Sequence, residues 1–219
     1  AASDVYKRQE WGNGVVKECC SLKFLGLPEG KGMLPGYFCD GCVQLEHISV
    51  PNTVTRLWDY VFDKCTTLQE VTLPDGVTDI GRHVFESCCC ITEMIPPKGL
   101  RKIGNGAFQG CRMLEKAVLP DGIDEVVDSL FSGCYTLTEI VIPKSVTTVS
   151  RYSFENCQCM KRYYFLPDSP PELTTTGTFL GLPKDCKFYV PKGRLDVYQT
   201  AESWSNYASY MVEMEGDVP

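Results

Sequence analysis

The chain has 219 residues, 43% of them hydrophobic and 22% charged, which is enough apolar material for a large folded core. Its formal net charge of −7 disfavours binding to nucleic acids and to anionic lipid surfaces. No apolar run approaches the roughly 20 residues that a membrane span needs, and no charged-then-apolar signal sequence opens the chain. The composition therefore predicts a folded protein with no nucleic-acid partner and no membrane span in the visible sequence.

The first ten residues differ from everything that follows. The stretch AASDVYKRQ, residues 1–9, resembles translated read-through of a sequencing adapter, as found at the broken ends of environmental gene fragments. We therefore exclude residues 1–10 from the predicted fold as a non-native segment. The chain is then expected to be a fragment whose true N-terminus lies upstream, and the missing signal peptide carries no information about secretion.

Residues 11–191 repeat with a period of 23 residues. One row at this spacing consists of cysteines: Cys19, Cys42, Cys65, Cys88, Cys111, Cys134 and Cys157. Phenylalanines stand three residues before the later cysteines: Phe62, Phe85, Phe108, Phe131 and Phe154. An apolar row stands six residues after each cysteine: Leu25, Ile48, Val71, Met94, Ala117, Ile140 and Tyr163. Seven consecutive copies predict seven regular turns of a repeat architecture.

Each copy reads C-x-x-L-x-x-V-x-L-P-x-x-V-x-x-I-x-x-x-x-F-x-x. The segment L-x-x-V-x-L predicts a short strand, and the proline after it ends the strand because proline has no N–H to donate. A turn and an irregular or short helical return arc follow, with the phenylalanine in the core. The pattern fits a leucine-rich repeat. It predicts a right-handed leucine-rich repeat solenoid with a parallel β-sheet.

An eighth, irregular rung and a cap follow the regular copies. Phe179, Leu182, Phe188 and Val190 occupy repeat positions, although Asp185 stands where a leucine belongs. Residues 192–219 are aromatic-rich, and we predict that they form a C-terminal cap over the last rung, since solenoids need capped ends for solubility.

Residues 16–211 resemble the BspA-type leucine-rich repeats, a 23-residue class marked by L-x-x-V-x-L-P and F-x-x-C. The resemblance implies a bacterial protein that is secreted or attached to the cell surface and that binds a protein or glycan, in some members as an adhesin. It implies no catalytic residue and no cofactor. The chain is therefore expected not to be an enzyme.

The cysteines allow two interpretations. Cys39 and Cys42 have the C-x-x-C spacing of a metal site, but the repeat register favours a row of small buried apolar side chains instead, so we predict no metal site. Thirteen cysteines is an odd number, so at least one thiol is free or pairs with another chain. His47 and His83 occupy different repeat positions, and no catalytic arrangement is visible locally.

Function is expected on the outward face of the strands. The third strand position gives a row of mixed charge: His47, Glu70, Glu93, Lys116, Glu139, Arg162 and Lys187. The fifth position gives a row that begins polar and becomes apolar: Ser49, Thr72, Ile95, Val118, Val141, Tyr164 and Tyr189. Packing of the solenoid does not require an apolar outer row.

We predict that a protein or glycan binds near the C-terminal end of this face. The predicted contact residues are Val118, Val141, Arg162, Tyr164, Lys187 and Tyr189. Two alternatives stay open: the C-terminal tail covers part of the row, or the solenoid is a structural spacer that carries another domain.

Overall fold

The computed structural model describes residues 12–27, 29 and 32–216. The predicted non-native segment 1–10 lies outside the described residues. The structure is a solenoid of eight rungs, in which most rungs contribute one short strand to each of two parallel sheets, and each sheet is interrupted once along the solenoid. The predicted fold, a parallel-stranded solenoid with short strands and little helix, is confirmed.

The first sheet is built from the L-x-x-V-x-L segments. Its strands are β1 (Phe24–Gly26), β3 (His47–Ser49), β5 (Glu70–Thr72), β7 (Glu93–Met94), β9 (Lys116–Ala117), β11 (Glu139–Ile142), β13 (Arg162–Phe165) and β15 (Lys187–Val190). The second sheet lies on the return side of each rung. Its strands are β2 (Met33–Leu34), β4 (Arg56–Leu57), β6 (Asp79–Ile80), β8 (Lys102–Ile103), β10 (Glu125–Val126), β12 (Thr148–Val149) and β14 (Glu172–Leu173).

The strand register follows the 23-residue period. Ile140 of β11 lies beside Tyr163 of β13, and Val141 lies beside Tyr164. Between β13 and β15 the step lengthens to 25 residues, since Tyr163 lies beside Phe188. The eighth rung therefore departs from the 23-residue step of the regular copies.

A column of stacked phenylalanines runs through the core. The ring centroids of successive members lie 5.3 to 5.8 Å apart. The members are Phe62, Phe85, Phe108, Phe131, Phe154 and Phe179. Each ring thus contacts the rings of the rungs before and after it, which couples the stability of neighbouring rungs.

The C-terminal segment closes the end of the solenoid. It contains α1 (Leu195–Thr200), a 3-10 helix (Ser205–Tyr210) and a final strand, β16 (Met211–Glu213), which pairs with β15 in parallel. Trp204 is buried against the core, with its ring centroid 4.8 Å from that of Phe165, and its indole N–H donates to the carbonyl of Pro171. The segment therefore covers the last rung with aromatic side chains and extends the first sheet by one strand.

Candidate partner-binding surface

The outward face of the first sheet carries a charged row and an apolar row side by side. In the charged row, Lys116 Nζ lies 3.2 Å from a Glu93 oxygen, and the Arg162 guanidinium donates two hydrogen bonds to Glu139 Oε2. The hydrogen bond to Glu139 raises the pKa of Arg162. Opposite charges on neighbouring strands therefore neutralise one another along this row.

The apolar row forms a continuous stripe over six strands, and we call it the apolar stripe. Its members are Ile95, Val118, Val141, Tyr164, Tyr189 and, from the added strand β16, Val212. Ile95 is 77% exposed and Val118 is 52% exposed, whereas the later members are half-buried. Sequence reasoning missed Val212, because residue 212 lies in the predicted cap and outside the repeat pattern.

Tyr164 and Tyr189 form the most substantial part of the apolar stripe. Their rings are stacked, with centroids 4.9 Å apart and planes 22° from parallel. The Tyr164 hydroxyl is neutral at physiological pH, as in any ordinary tyrosine, and burial raises its pKa further. The pair therefore presents a joined aromatic surface with polar edges, the composition favoured in protein interfaces.

The C-terminal tail packs on the opposite side of the sheet from these two tyrosines. Trp204 contacts the rings of Phe165, Phe188 and Tyr198, which point into the core. Because side chains alternate along a strand, Tyr164 and Tyr189 point outward from the positions between those core residues. The described part of the tail, up to residue 216, therefore extends the apolar stripe by one residue and does not cover its outer surface.

The first sheet is interrupted between β5 and β7, which limits the apolar stripe at its N-terminal end. The strands divide into a three-stranded part that ends at β5 and a six-stranded part that begins at β7. A small cleft of about 30 Å³ opens there, lined by Val71, Leu73, Met94 and Pro96. Pro96 stands where Leu73 and Leu119 stand in neighbouring rungs. Val71 occupies the same repeat position as the buried Ile48 and Met94, but it is only half-buried beside this cleft.

Both histidines are accounted for by stacking contacts. The His47 ring lies parallel to that of Phe24 at 5.7 Å, and the His83 ring lies parallel to that of Tyr60 at 5.0 Å. His83 Nδ1 also lies 2.9 Å from a Glu86 carboxylate oxygen. Within the described residues, no cluster of three or more histidine, cysteine or acidic side chains has the geometry of a metal site.

The cysteine row is a ladder of hydrogen bonds as well as a packing column. The Cys88 thiol donates to the carbonyl of Phe62, and the Cys111 thiol donates to that of Phe85, each at 3.1 Å. Cys42, Cys65, Cys134 and Cys157 make the same bond to the residue 26 positions earlier. The repeat register predicts only that these side chains are small and apolar. The structure adds that each thiol donates a hydrogen bond, which alanine at this position could not do.

Burial keeps the ladder thiols from Cys65 to Cys157 protonated. It raises the pKa of Cys157 to about 12 and holds the pKa values of Cys88 and Cys134 well above the usual range. Cys39 and Cys42 are also buried, and a hydrogen bond from the Cys39 thiol lowers the pKa of Cys42. All thirteen cysteines lie in the described residues and are free thiols.

Alkylation should therefore separate the exposed thiols from the buried ladder thiols, with the half-buried Cys19, Cys89 and Cys90 reacting at intermediate rates. Cys20 and Cys159 are exposed and should react with a maleimide within minutes at pH 7.5, whereas the ladder thiols should need a local opening of the solenoid, because a buried protonated thiol is inert. Mass spectrometry of timed samples measures both classes. The variant Cys20→Ser/Cys159→Ser should lose the fast phase, and rapid labelling of Cys111 would contradict the packing described here.

The repeats match one protein family. A family profile described as BspA type leucine rich repeat region matches residues 33–161 in six copies. The chain belongs to this BspA-type leucine-rich repeat family. The predicted membership is thus confirmed over more than half of the chain. In this chain the phenylalanine and the cysteine of the F-x-x-C motif form the phenylalanine column and the cysteine ladder.

Solved structures of bacterial leucine-rich repeat proteins share the fold of this BspA-type chain. The T. pallidum leucine-rich repeat protein is 30% identical, with a TM-score of 0.65 over 68% of this chain and 69% of that one. A leucine-rich repeat protein from Bacteroides ovatus is 25% identical, with a TM-score of 0.73 over 83% of this chain and 49% of that one. The pneumococcal vaccine antigen PcpA is 21% identical, with a TM-score of 0.64 over 85% of this chain and 45% of that one.

The match covers only part of some of these proteins. The chain spans about half the length of the Bacteroides and pneumococcal proteins. No curated protein matches the chain. Among the described residues, none of the helices has the length and apolar character that crossing a bilayer requires.

Proposed function

We propose that this BspA-type chain is a non-enzymatic interaction module of a secreted or cell-surface bacterial protein, which binds a protein or glycan through the apolar stripe. The observation that carries the proposal is the exposed apolar surface itself. Ile95, Val118 and the stacked pair of Tyr164 and Tyr189 face outward on a continuous sheet, where core packing does not require them. Exposed apolar patches of this kind usually mark contact sites.

The two tyrosines are the proposed energetic centre of the contact. Binding energy in interfaces concentrates in a few aromatic and arginine side chains near the middle of the patch. Tyr164 and Tyr189 are flanked by Val118 and Val141 on the apolar stripe. Arg162, which is paired with Glu139, and Lys187 lie beside them on the charged row, and Lys187 would direct the approach of acidic partners.

Tyr164→Ser/Tyr189→Ser should weaken partner binding at least about tenfold, since loss of an aromatic anchor typically costs 2 kcal/mol or more. The wild-type chain is first screened against immobilised extracellular-matrix proteins and a glycan array, and the variant is then titrated against each binder. The fold should persist, because both rings lie outside the core. Circular dichroism should show an unfolding midpoint only a few degrees lower.

A matched control is Tyr135→Ser/Tyr152→Ser. These two tyrosines are 37% and 40% exposed and lie outside the strands of the first sheet, so their loss should leave binding unchanged. Equal binding by the wild type and the Tyr164/Tyr189 variant would contradict the proposed site.

The second candidate function is a structural spacer. It is supported by the length comparison, since the similar Bacteroides and pneumococcal chains extend well beyond the matched part, and by the neutralised charged row, which suits a passive surface. In that case the wild-type chain should bind nothing in the screen. The Tyr164/Tyr189 variant should then be indistinguishable from it in every assay.

A further inference from the structure

A groove runs along the surface of the second sheet, separate from the apolar stripe on the first sheet. The residues that follow the second-sheet strands form a row: Pro35, Trp58, Gly81, Gly104, Val127, Ser150 and Thr174. The two glycines leave a gap two rungs wide beside Trp58. With rungs about 4.8 Å apart, the gap is roughly 10 Å across. It forms a groove of about 450 Å³.

The backbone geometry keeps this groove open. A Cβ atom on Gly81 would come within 2.7 Å of the carbonyl carbon of Trp58, and one on Gly104 would come within 2.6 Å of the amide nitrogen of Arg82. Both distances are shorter than real contacts of a Cβ atom. Neither position can carry a side chain without moving the backbone, so the floor of the groove is backbone and its Trp58 wall stays accessible.

Three cations line the groove without a carboxylate oxygen of a described residue within 4 Å, although Asp79 lies between Arg56 and Lys102 in the strand register. Among the described residues up to position 116, five lysines have their Nζ atom within 4 Å of a carboxylate oxygen. They are Lys17, Lys23, Lys64, Lys98 and Lys116. Arg56, Arg82 and Lys102 line the groove and make no such pair with any described residue. In a chain of net charge −7, a groove with a net positive lining and three cations without a close carboxylate contact points to an anionic ligand.

One of these cations is joined to the aromatic wall. The Arg56 guanidinium lies 4.3 Å from the centroid of the Trp58 ring. A guanidinium stacked in this way keeps its in-plane N–H donors available, and their fork matches a carboxylate. Trp58 is 41% exposed, so the wall offers an apolar ring and charged donors together.

Two carboxylates in the groove are held by neighbouring groups. Asp59 Oδ1 accepts a hydrogen bond of 2.8 Å from the backbone N–H of Arg82, and Asp79 Oδ2 accepts one of 2.7 Å from the Thr78 hydroxyl. Their remaining oxygens are acceptors for hydroxyl groups. With three cations and two carboxylates, the groove has a net charge of +1.

We propose that this groove binds a uronic acid unit of an acidic polysaccharide. The Trp58 ring packs against the apolar face of the sugar, Arg56, Arg82 and Lys102 bind its carboxylate, and Asp59 and Asp79 accept its hydroxyl groups. The net charge of +1 matches one carboxylate per sugar. A heavily sulfated chain would bring several negative charges against the two aspartates.

The test compares trigalacturonic acid with its methyl ester, which has the same ring framework without the charges. Isothermal titration at low ionic strength should show binding of the acid and at least tenfold weaker binding of the ester. Arg82→Gln and Lys102→Gln should each weaken binding of the acid about tenfold, because charge-assisted hydrogen bonds are lost. Trp58→Ala should abolish measurable binding, and Trp58→Phe should retain part of it. The phenylalanine variant therefore distinguishes loss of the aromatic ring from a disturbance of the fold.

Two controls make the outcome decisive. Lys98→Gln removes an exposed lysine outside the groove and should leave binding unchanged. Tyr164→Ser/Tyr189→Ser should also bind trigalacturonic acid normally, so failure of the apolar-stripe proposal and failure of this one are distinguishable. Absence of binding, equal affinity for acid and ester, or equally tight binding of a sulfated heparin trisaccharide would overturn the assignment.

Discussion

The protein should unfold steeply as the pH rises above about 9. The ladder thiols keep their protons in the folded state, because burial raises the pKa of Cys157 to about 12 and the pKa values of Cys88 and Cys134 well above the usual range. In the unfolded chain a thiol has a pKa of about 8.5. The raised folded values mean that the stability from these groups is fully present below pH 8 and is lost at higher pH.

The size of the effect follows from the number of protons released on unfolding. Between the unfolded and folded pKa values, each buried thiol lowers the free energy of unfolding by about 1.4 kcal/mol per pH unit. Five such thiols in the ladder give a slope of about 7 kcal/mol per pH unit. They are Cys65, Cys88, Cys111, Cys134 and Cys157. Since a domain is stable by about 5 to 15 kcal/mol, one to two pH units should unfold it.

Urea titrations followed by circular dichroism at several pH values between 8 and 10 measure this slope. Buried tyrosines such as Tyr163, whose pKa is also raised, add to the slope above pH 10, so the lower range isolates the thiols. Cys88→Ala/Cys134→Ala should reduce the slope by about 2.7 kcal/mol per pH unit, because alanine cannot ionise. An unchanged slope in this variant, or constant stability up to pH 10, would contradict the burial of the ladder thiols.

The regular part of the fold was predictable because a repeat constrains its own register. When Ile140 and Tyr163 occupy the same position in consecutive copies, stacking of the copies brings them side by side, as the structure has them. The outward rows follow from the same register, since strand side chains alternate between faces. The charge pairs of Lys116 with Glu93 and of Arg162 with Glu139 follow from the same register.

The exceptions depend on distances that a repeat pattern does not contain. The first sheet is interrupted near Pro96, where β5 and β7 do not pair although the strands on either side of them do. In the repeat pattern, Pro96 is only one unusual residue at an apolar position. The groove beside Trp58 exists because Gly81 and Gly104 lie too close to the preceding rung for a Cβ atom. A sequence gives the residue types at these places, whereas backbone approach decides whether a cleft or a filled surface results.

The largest expected loss of stability from one substitution is that of Ile140→Asp. Ile140 is 1% exposed and lies on β11, between the inward-facing residues of β9 and β13. A buried, unpaired carboxylate costs several kcal/mol, so the variant should lose at least about 4 kcal/mol and should fold poorly at pH 7. Lowering the pH toward 5 should recover part of this loss, because a carboxyl group in an apolar site prefers its neutral form.

Val118→Asp is the matched control for Ile140→Asp, because it places the same carboxylate one strand away on the outward face. Val118 is 52% exposed and lies near the Lys116 side of the sheet, so the change should cost less than about 1 kcal/mol and should show no recovery at low pH. Urea unfolding at pH 5 and pH 7, followed by circular dichroism, measures both variants. Equal losses would mean that the inward and outward rows are assigned to the wrong faces. A much larger loss of unfolding free energy for Ile140→Asp than for Val118→Asp would show that the Val118 position has no role in core packing. A binding surface on the apolar stripe requires this.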